Sequence, residues 1–364
     1  MRSGGSRNIL ITGGAGFIGS NLAERLLSQP GTHVRIFDNL SRSGVSHNLE
    51  WLSSRPGNAH LEFIEGDVRD TSAVIRAVSD ACEVYHLAAQ VAVTTSVADP
   101  RSDFEVNALG TLNVLEAARR SGRRPFLLFT STNKVYGSLE SVPVIVQGTH
   151  YCAQHPGFRG VTEHQLLDFH SPYGCSKGAA DQYVRDYARI YDIPTVVFRM
   201  SCIAGPRQFG NEDQGWVAHF LYSVLERKPI TVYGDGFQVR DVLCVSDLID
   251  GMMAAAKNIP KTSGQVFNVG GGPDRAISVL EMLRSIERQT GKTPNLRYSA
   301  VRPGDQPLYI SDTSKLSAAT GWQARHSLQQ ILESIQTFWQ ANRQMIDYQR
   351  VPEPVTHLIA EEVA

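Results

Sequence analysis

The rhythm of apolar runs constrains this chain more than any single residue does. From residue 9 to about residue 200, short runs recur between longer helical stretches: Ile9-Leu10-Ile11, Val34-Arg35-Ile36-Phe37, Leu61-Glu62-Phe63-Ile64, Val84-Tyr85-His86-Leu87, Phe126-Leu127-Leu128-Phe129 and Thr195-Val196-Val197-Phe198. They are continuous rather than alternating, and rich in branched and aromatic residues. Strands covered on both faces of a parallel sheet have that pattern. The intervening stretches, Ala108 to Arg120 among them, suit right-handed crossover helices. The expectation is an α/β fold with a doubly wound parallel (Rossmann) sheet, which Val266-Phe267-Asn268-Val269 rejoins late.

Beyond Arg199 the rhythm breaks. Gly, Pro and aromatic residues cluster over 204–215, a turn-rich stretch covers 234–238, and helices are expected over 278–290 and 327–340. In the last of these, Leu328, Ile331, Leu332, Ile335, Phe338 and Trp339 fall on one face and predict core. The division read from this is an NAD-binding domain over 1–198 plus about 241–270. A smaller C-terminal α/β substrate domain takes 199–240 plus 271–345, and 346–364 form a surface tail. Charge narrows the partners: 35 Lys+Arg against 36 Asp+Glu among 364 residues argue against nucleic acid or anionic membrane. Five scattered Cys without a C-x-x-C pair, a short polar start and no apolar run near ~20 residues point to a reduced, cytoplasmic setting. No His/Asp/Glu grouping has metal-ligand spacing, so no metal is expected.

The first run leads into Thr12-Gly13-Gly14-Ala15-Gly16-Phe17-Ile18-Gly19, a strand–turn–helix context in which a glycine motif carries weight. Gly13 permits the tight turn, Gly16 lets backbone approach a pyrophosphate, and Gly19 lets the helix pack on the strand. Phe17 and Ile18 open that helix, whose N-terminus favours an anion. Asp38 ends the second run, where its carboxylate can accept from ribose hydroxyls and favours NAD over NADP. Asn39, Ser41 and Arg42 follow it, and Arg42 is a mild counter-signal. Farther on, Tyr173 and Lys177 lie four apart on one helix face. A free tyrosine titrates near ~10, so a neutral-pH base needs its phenolate stabilised by roughly 3 pH units, about 4 kcal/mol. A lysine ammonium and a nicotinamide cation nearby can supply that, and Lys177 can also hold the nicotinamide ribose. Thr132, beside Ser131 after the fifth run, is placed to bond the same substrate hydroxyl.

These motifs, in this order, resemble the extended short-chain dehydrogenase/reductases of the NAD-dependent epimerase/dehydratase family that act on nucleotide sugars. The resemblance implies an adenine contact at Asp67-Val68, a small-residue wall at Leu87-Ala88-Ala89-Gln90 and a structural asparagine at Asn107, all grouped with the cofactor site. It implies tightly bound NAD regenerated in each turnover, and a homodimer or homotetramer. Sugar 4,6-dehydratases of the family carry Thr-Asp-Glu where this chain has Thr132-Asn133-Lys134. Asn does not titrate and Lys is the wrong acid, so elimination is disfavoured. The loop Val232 to Asp241 resembles the family's nucleotide-binding loop, with Tyr233 in it and Arg240 and Arg302 as diphosphate clamps. Asn133, Gln214, Trp216, Val217 and Asp305 join the implied substrate contacts. A long insert between Tyr136 and Tyr173, with Leu167 to Tyr183, Arg207-Gln208-Phe209 and Asp213 to Val217, resembles the 2-epimerases of CDP-linked sugars over about residues 8–340. That implies inversion at C2 through a transient 2-keto sugar. A UDP-hexose 4-epimerase, an NAD(P)-dependent nucleotide-sugar reductase or dehydrogenase, and a non-catalytic dinucleotide sensor are the alternatives.

Overall fold

A computed structural model describes residues 7–302 and 305–346. The surface-tail expectation therefore lies almost wholly outside the described residues. All seven apolar runs become strands of one parallel sheet: β1 (Arg7–Thr12), β2 (Thr32–Asp38), β3 (Leu61–Glu65), β4 (Glu83–His86), β5 (Phe126–Thr132), β6 (Thr195–Met200) and β7 (Gln265–Val269). Their spatial order is β7-β6-β5-β4-β1-β2-β3. It reverses between β1 and β4, which puts a crevice at the strand ends where doubly wound sheets bind ligands. Helices fill both faces. One core gathers Leu22, Leu26, Leu248 and Met252 against the sheet, and the other gathers Val74, Ala77, Val114, Leu115 and Val184.

Two details differ from the reading of the runs. Leu61 to Ile64 are only partly buried, because β3 ends the sheet and has a neighbour on one side alone. The stretch expected as a helix from Ala108 enters through a wider turn, Glu105–Leu109, and becomes regular only at Gly110–Arg120. Such wide turns often accompany functional sites, and here the turn carries Asn107.

The remaining strands build a second layer. Val239–Cys244 pairs with Cys202–Ala204, Ala276–Ser278 and Leu308–Tyr309, and Pro229–Tyr233 pairs with Asn295–Ser299. The apolar stripe of the last helix, Leu328–Asn342, packs Ile331, Leu332, Ile335, Phe338 and Trp339 into this layer's own core. Part of the insert forms a hairpin, Val144–Gln147 with His150–Ala153. It is tied to this layer by Tyr151 Oη donating to Asp235 (2.6 Å) and by His150 against Glu281 (2.8 Å). Among the described residues no helix is long and apolar enough to cross a membrane. Among them, too, no group of His, Cys, Asp and Glu could hold a metal ion.

Candidate active site

The glycine turn lies at the ends of β1 and β4. Gly13 has φ +68°, and a Cβ there would sit 2.7 Å from the Ala88 backbone nitrogen. At Gly19 a Cβ would fall 2.3 Å from the Gly13 carbonyl oxygen and 2.6 Å from Gly14 Cα. Gly19 thus lets the helix close on the turn itself, rather than on the strand as the motif suggested. Gly16 caps the Phe17–Leu27 helix with no side chain bonded to the first-turn N–H groups, which leaves them available to an anion. This side-chain-free cradle fits a dinucleotide pyrophosphate. Asp38 accepts from the Ala15 N–H (3.0 Å) and the Leu40 N–H (2.9 Å) and so links the glycine turn to the end of β2. Burial raises its pKa, while those N–H groups and Arg42 oppose the rise. Arg42 is exposed and lies in the charge field of both Asp38 and Tyr173.

Asn39 donates to Asp67 (2.9 Å) and accepts from the Ser41 N–H (3.1 Å). Asp67 takes two bonds from the Arg69 guanidinium, chiefly responsible for lowering it to about 2, and Val68 beside it is core. On the β4 side, the Asn107 side chain is engaged within the protein. Its oxygen accepts from the Gln90 N–H, and its amide donates to the Gln90 carbonyl, Asp103 and Ser176. Every polar atom of that side chain is used in holding the Leu87–Gln90 wall, so Asn107 is a positioning residue. Ser131 Oγ is buried with no hydrogen-bond partner among the described residues.

The helix Ser171–Tyr191 carries Tyr173 and Lys177. Its start is set by Ser171 at φ +65° and by the buried Ser96, whose hydroxyl accepts from the Tyr173 N–H at 3.1 Å. Tyr173 meets the Thr132 hydroxyl, a bond that favours the phenolate. Burial nonetheless pushes Tyr173 up to about 12, with Asp103 adding to the rise and Arg42 opposing it. Lys177 is 2% exposed, with Nζ 4.1 Å from the centre of the Phe129 ring. Burial drives it down to about 7 against the pull of Asp103 and Asp181. The expected stabilisation of the phenolate by the lysine ammonium together with a nicotinamide cation concerns the site with NAD bound; in the protein by itself the phenol is raised and the lysine lowered. Both groups are shifted toward neutrality because burial penalises the charged form of each, and the carboxylates offset only part of that at the lysine.

Sequence reasoning missed the groups beneath the pair. Ser176 donates to the buried Asp103, which also accepts from Asn107 and Gln90. Asp181 and Arg199 form a buried bidentate pair (2.8 and 2.9 Å), extended by Arg199 to Tyr136 (3.0 Å). A serine one residue before the lysine and a carboxylate four after it, on one helix, are the signal that points to Ser176, Lys177 and Asp181 as a unit.

On the substrate side, Arg240 donates to Asp305 at 2.6 Å, and Lys134 Nζ lies 3.4 Å from the same Asp305 oxygen. Asn133 donates to Gln306 (3.1 Å), which fastens the end of β5 to the loop after Arg302. Arg302 donates to the Glu212 carbonyl, pairs with Asp213 (3.3 Å) and lies 4.0 Å over the Tyr233 ring, while Tyr233 bonds Glu212. Gln214 exchanges backbone bonds with Asn211, and Trp216 donates to Cys202 Sγ at 3.2 Å. Val217 is 2% exposed and packed in the second core, so it is corrected from a ligand contact to a core residue.

The chain matches the family model described as GDP-mannose 4,6 dehydratase over residues 10–335. It is 46% identical to CDP-paratose 2-epimerase of Salmonella typhi, over 88% of this chain and 95% of that one. Among solved structures it is similar to UDP-glucose 4-epimerase of Thermotoga maritima with UDP-glucose, at 30% identity and a TM-score of 0.79, over 92% of this chain and 99% of that one. It is likewise similar to UDP-glucuronic acid 4-epimerase of Bacillus cereus in complex with UDP-glucuronic acid and NAD, at 29% identity, a TM-score of 0.78 and the same coverage. With its glycine cradle, Tyr–Lys helix and reversed strand order matched along nearly its whole described length, the chain belongs to the GDP-mannose 4,6 dehydratase family of NAD-dependent nucleotide-sugar epimerases and dehydratases.

Proposed function

We propose that this chain is an NAD-dependent nucleotide-sugar epimerase that inverts C2 of CDP-paratose or CDP-tyvelose, or of a related nucleotide hexose. The observation that carries epimerisation is the Thr132–Tyr173–Lys177 grouping with Asn133 and Lys134 where a dehydratase needs an acid pair: Asn133 is engaged with Gln306 and Lys134 with Asp305. Position C2 and the CDP-linked sugar draw support from the 46% identical relative.

Held by the glycine cradle, Asp38 and the Leu87–Gln90 wall, NAD supplies reversible oxidation of a sugar carbon. Tyr173 takes the C2 hydroxyl proton at its phenolic oxygen as that carbon becomes a carbonyl, and gives the proton back when the carbonyl is reduced on its opposite face. Thr132 bonds the same oxygen and stabilises its charged form. Lys177, with a pKa near 7, can hold or release a proton at neutral pH beside this pair. The sheet with its flanking helices takes NAD and the second layer takes the nucleotide, with the expected boundaries moved so that Arg199 and Met200 stay with the sheet and Val239–Cys244 with the second layer. Exposed Phe104, Leu109, Tyr183 and Ile190 on neighbouring helical segments support self-association as a homodimer or homotetramer. Five free cysteines support a cytoplasmic setting.

The test is NMR of CDP-paratose incubated with the enzyme in heavy water. Inversion at C2 without deuterium at C2 is expected. Deuterium at C2 would overturn internal return of hydrogen, inversion at C4 would overturn the regiochemistry, and stoichiometric NADH would make the protein a reductase or dehydrogenase.

A further inference from the structure

We propose that Lys134 grips the sugar-proximal phosphate of the nucleotide sugar and thereby brings C2, rather than C4, to Tyr173; this rests on the epimerase reading above. Lys134 stands in the short turn Asn133–Tyr136 that directly follows β5. Its backbone is bonded to one catalytic element and lies close against the other. The Lys134 N–H donates to Thr132 Oγ1 at 3.2 Å, and the Lys134 carbonyl oxygen lies where a Cβ on Gly174, the residue after Tyr173, would come within 3.4 Å. From this anchor its side chain reaches the second layer, where its ammonium shares a single Asp305 oxygen with Arg240.

That sharing leaves charge over. Two cations on one carboxylate give the trio a net positive charge, and the side chains keep 22% (Lys134), 11% (Arg240) and 28% (Asp305) of their surface. Burial and the Arg240 charge push the Lys134 pKa down, and Asp305 pulls it back. Asp305 in turn is pushed up by burial, but the two cations outweigh that and hold it below its ordinary range. Like charges this close in a half-buried place are relieved by an anion. Arg302, the other cation of this region, already has Asp213, the Glu212 carbonyl and the Tyr233 ring. The unspent positive charge lies with Lys134 and Arg240.

The chemistry of the substrate gives that location its meaning. In a nucleotide diphosphate sugar the proximal phosphate is joined to C1 through one oxygen. C2 is the neighbour of C1, whereas C4 lies across the ring. An enzyme that presents the C2 hydroxyl to its tyrosine brings the phosphate close behind it. One that presents C4 holds the phosphate a ring's width away. A cation rooted between Thr132 and the tyrosine helix matches the first arrangement, and a dehydratase acid at the same position would repel that phosphate.

The probes are CDP, which has the proximal phosphate, and CMP, which lacks it, with UDP and UMP in parallel. Each is titrated calorimetrically into the NAD-loaded enzyme. Lys134→Met is expected to weaken CDP about ten- to hundredfold, the range of one charge-assisted bond, with CMP changed less than about twofold. Lys134→Arg is expected to keep most of the CDP affinity, and Asp305→Asn, which leaves both cations in place, to tighten CDP more than CMP. If Lys134→Met weakens CDP and CMP alike, or neither, Lys134 is an ion pair between layers and the proposal fails. If that variant does not fold, loss of CDP binding in Asp305→Asn overturns it. Regiochemistry is read separately by the NMR assay. A wild type that inverts C4 defeats the C2 reading and the placement built on it, while the CDP–CMP difference still judges the phosphate grip.

Discussion

Replacing Lys177 with methionine should make the protein more stable while making it inactive. Lys177 is 2% exposed with its ammonium against the Phe129 ring, and burial takes its pKa from 10.5 to about 7. A depressed lysine pKa opposes folding wherever the unfolded chain holds the proton and the folded chain does not want it. Stability then rises with pH between the folded and the unfolded value, because the unfolded state binds more protons there. At about 1.4 kcal/mol per pH unit, the opposition is about 5 kcal/mol at pH 6.5, about 1 kcal/mol at pH 9.5 and absent well above 10.5. Relaxation and water entry reduce these upper figures, so a gain of roughly 1–3 kcal/mol at pH 6.5 is expected from the isosteric neutral side chain. The assay is urea unfolding of dinucleotide-free wild type and Lys177→Met at both pH values. The methionine protein should lead clearly at pH 6.5, and its lead should shrink by pH 9.5. A variant less stable at pH 6.5, or a difference that does not change with pH, would refute the reasoning.

Three other substitutions probe separate parts of the site. Thr132→Val removes the bond that favours the Tyr173 phenolate, so the acid limb of kcat/KM should move to higher pH and the rate should fall about ten- to hundredfold. Thr132→Ser should restore both, and an unmoved profile in the valine variant would count against the contact. Gly19→Ala places a Cβ 2.3 Å from a backbone oxygen that cannot swing aside. NAD affinity measured by calorimetry should drop at least about tenfold as the turn is displaced, since overpacking of this kind costs about 1–3 kcal/mol, and undiminished affinity would contradict the cradle. Asp181→Asn leaves the buried Arg199 guanidinium without its charge partner and should cost about 3–5 kcal/mol in a denaturant melt; an unchanged midpoint would show the pair to be dispensable.

The sheet was legible because each strand announces itself locally. Ile9 to Ile11 or Phe126 to Phe129 must be covered on both faces whatever follows them, and the seven runs appear as seven strands with ends shifted by up to three residues. The edge position of β3 was only faintly legible, in the exposed Glu62 that interrupts its run, because Leu61, Phe63 and Ile64 are as apolar as the central runs. Nor was the wide turn at Glu105–Leu109, whose composition is ordinary for a helix. Its reason is tertiary: Asn107 must face Gln90, Asp103 and Ser176 at once. Tyr173, Lys177 and the glycines were readable for the opposite reason. Their spacing on one element encodes their geometry, since four residues make one helical face and three glycines make one close turn. Val217 shows the limit, because its neighbours in sequence resemble ligand contacts while its own side chain turns into the core.

Charge direction at the site belongs to a different class of information. Residue type assigns Lys177 a positive charge that would assist Tyr173, but the sign of the effect depends on what lies within a few ångströms. Phe129 and two carboxylates surround the ammonium, while Thr132, Asp103 and Arg42 act on the phenol. The same arithmetic hides the substrate side. Lysine and arginine nearly cancel aspartate and glutamate over the whole chain, 35 against 36, yet one aspartate oxygen with two cations on it leaves a local surplus that a net charge cannot register. Anion binding in a neutral protein therefore rests on local arrangement: at Asp305 a single carboxylate oxygen meets both Lys134 and Arg240 in a half-buried place, and charge remains there for a ligand.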